Sequence, residues 1–131
     1  MIVAMMLVLA VQAAEAAPVT QPEEPPEFRF ATGCAAVAEI ASKEIATVLR
    51  KPSLAREDRV TAEQSAAIFV RVSEQAKLAE RTAARLEDLS PADQALQSRQ
   101  QREVFKSVPY ELRQAMAESC AYRFARDLIP E

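Results

Sequence analysis

Histidine, tryptophan and asparagine are absent from this chain of 131 residues, and glycine occurs once, at Gly33. Without His, the usual general base at neutral pH and the commonest protein metal ligand are both missing. Without Asn, and with a single Gly, the positive-φ residues that β-hairpin turns demand are nearly gone. All-β and α/β arrangements are therefore poorly served, and a Gly-rich phosphate loop is excluded. Aromatic residues are few, five Phe and two Tyr, so no core here can rest on large rings. Strong charge of one sign is lacking as well. Sixteen bases against 19 acids give a net charge of −3, with no basic stripe to neutralise phosphates, so nucleic acid is not an expected partner.

What is present is alanine, proline and two cysteines. The length suits one domain, and the Ala-rich composition favours helices that approach closely and bury little area each. Arg is far commoner than Lys, which points to a GC-rich bacterial genome.

Residues 2–11, "IVAMMLVLAV", form an unbroken apolar run followed by "QAAEAAP". The run falls well short of the roughly 20 residues that span a bilayer, and its length fits the apolar region of a secretory signal. Ala14-Glu15-Ala16 satisfies the small-x-small rule, so residues 1–16 are expected to be a signal peptide cut after Ala16, with a cut after Ala13 as second choice. No Lys or Arg precedes the run, so the usual basic leader of such a signal is missing. A secreted or periplasmic location follows, with no stable membrane anchor once the signal is gone. Residues 17–30 carry Pro18, Pro22, Pro25 and Pro26 among Glu23, Glu24 and Glu27, and read as a disordered, acidic linker. Cys34 lies too far past the apolar run to be a lipidated amino terminus, although "TGC" has the look of such a site.

Residues 31–131 are expected to form a single domain, an all-α four-helix bundle of orthogonal or up-down type. The first helix is read over residues 32–50, with Cys34, Val37, Ala38, Ala41, Ile45 and Val48 on one face and a Glu39–Lys43 pair on another. Pro52 ends it. The second is read over residues 61–86, with Thr61 and Gln64 as a capping box. Its seam runs Phe69, Val72, Ala76, Ala79, Ala83 and on to Leu86. Small residues there imply either tight packing or a groove for a partner helix or apolar ligand. The third, residues 91–106, starts from Ser90 as N-cap and Pro91 at the first position. Leu96, Val104 and Phe105 anchor its ends, and its centre, "QSRQQRE", has little to bury. The fourth follows Pro109, with Leu112, Met116, Cys120, Phe124 and Leu128 every four residues.

Two cysteines in a small exported domain read as a disulfide, Cys34 with Cys120. It would close a loop of roughly 87 residues, worth on the order of 4–5 kcal/mol by chain entropy. The competing readings lack support: a zinc site would need more ligands, a redox pair closer spacing, a nucleophile its imidazole. Carboxylate pairs at Glu23-Glu24, Glu57-Asp58 and Glu87-Asp88 all fall in linkers or at helix boundaries. No catalytic residue, cofactor or metal is expected, and the chain is not expected to be an enzyme. The expected function is that of a helical interaction protein of the envelope, in the manner of a chaperone, inhibitor or immunity protein, with a protein partner or a second copy bound. The alternative is a carrier of a lipid or other small apolar molecule between helices. A cavity of several hundred Å³ would favour the carrier, and a filled core with an exposed apolar patch the interaction protein.

Overall fold

The computed structural model describes residues 26–130, so the expected signal peptide and most of the expected linker lie outside the described residues. The described chain is all-α: α1 (Phe28–Leu49), α2 (Arg56–Leu86), α3 (Pro91–Ser107) and α4 (Tyr110–Phe124), followed by a 3-10 turn, Arg126–Leu128. Together they make a small helical bundle with α1 at its centre. Helix α2 pairs along α1, α3 lies against α1, and α4 packs on both α1 and α2.

The centre is built from small residues. Every residue from Ala31 to Ala38 is buried, so this half of α1 is enclosed on all sides rather than along one stripe. An uncharged run, "ATGCAAVA", is what lets three helices converge on a fourth. At Gly33 α3 comes close, since a Cβ there would stand 3.2 Å from Gln101 Oε1 and 3.5 Å from the ring of Phe105. Phe105 is the buried anchor of α3.

Three boundaries differ from the sequence expectation. Helix α1 starts at Phe28, inside the segment expected to be linker, and Phe28 is buried against Ala83 and Ala84 at the far end of α2. The domain therefore begins before residue 31. Helix α2 starts at Arg56, and Thr61 does not cap it; its hydroxyl donates to the Glu57 carbonyl within the helix. Glu57 and Asp58 in the first turn suit the positive end of the helix dipole. Arg59 reaches back to the carbonyls of Leu49 (3.0 Å) and Lys51 (3.1 Å), satisfying acceptors that the end of α1 leaves open. Ser90, by contrast, caps α3 as read from sequence, its Oγ accepting from the Asp93 N–H.

The third difference concerns α4, which ends at Phe124. A strict four-residue repeat advances about 40° per step around a helix of 3.6 residues per turn, so Leu112 and Leu128 would lie about 160° apart. They cannot share a face. The buried residues are Ala117, Cys120 and Ala121, while Leu112 is 60 % exposed. Leu96 and Val104 of α3 are exposed too, leaving Phe105 to anchor that helix alone.

Candidate functional site

Cys34 and Cys120 form a disulfide between α1 and α4, with Cα atoms 5.5 Å apart and both residues 0 % exposed. It is the covalent tie between the centre of the bundle and its last helix.

Of the six seam residues, Leu86 is exposed at the end of α2, Val72 and Ala76 are buried in the main core and Ala83 in the small cluster with Phe28. Ala79 is half-buried. The three buried positions pack against the protein's own helices. Phe69 is different. It is partly buried and lines an open depression where the carboxyl half of α1, the amino half of α2 and the first turn of α4 diverge.

That depression has a volume of about 280 Å³. Ala41, Ile45 and Val48 supply one wall, from the predicted apolar face of α1, and Ala62, Ser65 and Phe69 the second. Tyr110 and Gln114 close the third side, with Glu44 at the rim. The third side is held by a set of mutual contacts. Gln114 Nε2 donates to the Tyr110 hydroxyl at 2.8 Å, and the Arg113 guanidinium lies over the Tyr110 ring, 5.6 Å from its centre. Arg113 also donates to Glu44 Oε1 at 3.0 Å, joining α4 to α1 at the rim. The Tyr110 hydroxyl accepts from Gln114 and keeps its own proton to offer.

Two carboxylates elsewhere have displaced proton affinities. Burial pushes Glu80 above the ordinary glutamate value, against a hydrogen bond with Thr32 and the charges of Lys77, Arg102 and Arg81. For Glu39 burial acts in the same direction, but Arg102 at 2.6 Å and Lys43 at 3.4 Å outweigh it and hold the carboxyl below its usual value. Neither lines the groove. Among the described residues no group of His, Cys, Asp and Glu is placed to hold a metal, and no helix is long and apolar enough to cross a membrane.

Phe69 was singled out by the seam, and Ile45 and Val48 by the periodicity of α1. The contribution of Tyr110 and Gln114 was not legible, because it depends on where the disulfide places α4. No protein-family model, curated protein or solved structure matches the chain.

Proposed function

We propose that this protein is an exported helical binding protein of a bacterial envelope, which takes a bulky apolar side chain of a partner protein into the groove between α1, α2 and α4. The observation that carries the reading is the groove itself: an apolar floor open to solvent, with a few fixed polar groups at its edge. An arrangement of that kind orients a guest without transforming it. The Tyr110 hydroxyl and Ser65 would meet the guest's backbone, and Phe69, Ile45 and Val48 its side chain.

The openness of the groove favours a side chain over a carried molecule. Small-molecule pockets typically bury about 70–90 % of their ligand's surface, whereas this one, of about 280 Å³, is an open depression. Export rests on the apolar run and cleavage motif of the amino-terminal sequence, and a buried disulfide is compatible with a non-cytoplasmic location.

A photo-crosslinking residue at Val48, on the groove, and at Leu78, exposed on α2 away from it, tests the proposal in cells producing the full chain. A discrete adduct from position 48 and not from 78, on a protein in the envelope fraction whose mass begins at Ala17 or Ala14, is expected. An adduct of twice the chain's mass identifies a second copy as the partner. No adduct from position 48, the same products from both positions, or a retained amino-terminal segment in the cytosol overturns it.

A further inference from the structure

We propose that the open pocket between the end of α2 and the start of α3 seats the chain's own residues 22–25, "PEEP", with Glu23 and Glu24 against Arg81 and Arg85. The inference is independent of the groove between α1, α2 and α4.

The pocket has a volume of about 450 Å³ and is lined by Arg81, Ala84, Arg85, Asp88, Leu89 and Gln94. Ala84 and Leu89 are its apolar part, and both also belong to the cluster around Phe28. The chain therefore enters the described domain beside this pocket. Pro26 is half-buried there, Phe28 is buried, and the Phe28 N–H is held by Glu87. Glu24 stands four residues ahead of Phe28, a reach of at most about 14 Å when fully extended. Whatever path the segment takes, Glu24 stays near the pocket.

Charge selects the same occupant. Arg81 and Arg85 stand one turn apart on α2, both exposed, and neither makes an ion pair with a described residue. Arg85 Nε donates to the Arg81 carbonyl at 3.4 Å, which leaves its two terminal nitrogens uncommitted. The charge of Arg81 is felt by Glu80, but the two are not paired. Nearby acids do not neutralise the two guanidiniums. Glu87 is bonded to the Phe28 N–H, and Asp88 is one carboxylate against two bases. Glu23 and Glu24 supply the carboxylates that this basic pair lacks.

Proline suits the rest. Pro22 and Pro25 bracket the two glutamates, and Pro26 follows. Proline fixes φ, so the segment has little freedom to lose on docking, and its rings offer apolar surface to Ala84 and Leu89. Exposed ion pairs contribute little by themselves. A segment tethered this closely has a high effective concentration, however, so contacts of modest strength keep it seated. Docked in this way it extends the domain to residue 22 and closes the pocket to an acidic peptide from elsewhere.

The test is NMR relaxation on the chain as cells produce it, comparing wild type with Glu23→Gln/Glu24→Gln and with Arg81→Gln/Arg85→Gln. In the wild type, the Glu23 and Glu24 amides are expected to have order parameters above about 0.6, the level below which backbone is flexible. Both should fall below it in Arg81→Gln/Arg85→Gln. The Ala84 and Leu89 methyl signals should shift in Glu23→Gln/Glu24→Gln, and added salt should carry the wild type toward the same end point. Flexible Glu23 and Glu24 amides in the wild type overturn the inference. So does order that survives loss of both arginines, or methyl signals that stay in place when both glutamates are replaced. The glutamate variant lies outside the four helices, so it reads the contact even where the arginine variant unfolds the end of α2. Order that grows with protein concentration assigns the pocket to a second copy's segment, which also overturns it.

Discussion

The backbone N–H of Phe28 donates to the carboxylate of Glu87 at 2.7 Å, across 59 positions of sequence. The opening turn of α1 is thus capped by a residue that follows the end of α2, because its own N-cap residue, Glu27, makes no side-chain cap. A negative charge at the positive end of a helix adds to the hydrogen bond. Replacing Glu87 by Ala should cost about 1 kcal/mol, and by Gln less, read from urea unfolding. The amides of residues 28–31 should lose exchange protection first. If they keep it while stability is unchanged, the cap has no role.

Helix α2 ends in a turn that ordinarily uses glycine. Asp88 has φ of 53°, the Leu89 N–H returns to the Ala84 carbonyl at 2.9 Å, and Leu89 packs on Ala84. This is the Schellman arrangement with Asp in the left-handed position. Asp88→Gly should stabilise the protein by about 0.5–1 kcal/mol, by relieving a conformation that costs L-residues energy. Asp88→Val should destabilise it, and equal midpoints for the two variants would show that the turn is not under strain.

Gly33 has no positive φ, so its freedom of backbone is not what the position uses. A methyl group there would displace only the flexible end of Gln101 and touch Phe105 at ordinary contact distance. Gly33→Ala should therefore be tolerated or gain up to about 1 kcal/mol in helix propensity. Gly33→Leu should cost about 1–3 kcal/mol by overpacking and release α3. Differential loss of exchange protection in α3 would identify the cause.

Glu80 and Glu39 should give stability opposite dependences on pH. Glu80 has a raised value when folded, so its favourable contribution is complete below the ordinary glutamate value of 4.5 and is lost as pH rises through the raised value. Glu39 has a lowered value, so its contribution is present above 4.5 and lost as pH falls through the lowered one. Glu80→Gln should accordingly stabilise the protein at pH 7 and have little effect at pH 4, in urea midpoints taken at both. A gain of the same size at both would assign the effect to packing.

The helical class and most boundaries are legible in sequence because they are set locally. Ser90 with Pro91, Pro52 and Pro109 act within a turn of themselves. What sequence does not carry is set by partners far along the chain. Phe28 belongs to a helix because Ala83, Ala84 and Glu87 receive it, and nothing around "EEPPEFRF" announces that. The apolar face of α4 was misjudged because a four-residue repeat drifts around the helix, leaving Leu112 outside. The enclosure of α1 had a signal in its run of small uncharged residues, but amphipathic periodicity is a one-sided measure and does not register a helix buried all round. In the groove, the α1 and α2 walls could be read, and the α4 wall could not.

The position of the disulfide also sets an order in time. Cys34 belongs to the first helix and its partner is 86 positions downstream, so in a chain that emerges amino end first the bond cannot close until nearly the whole domain is out. Throughout that interval Cys34 is an unpaired thiol awaiting a helix not yet made, exposed to capture by another chain or by a small thiol. Closure of the native pair is therefore gated by chain delivery, since residue 120 must follow residue 34 before the bond can form.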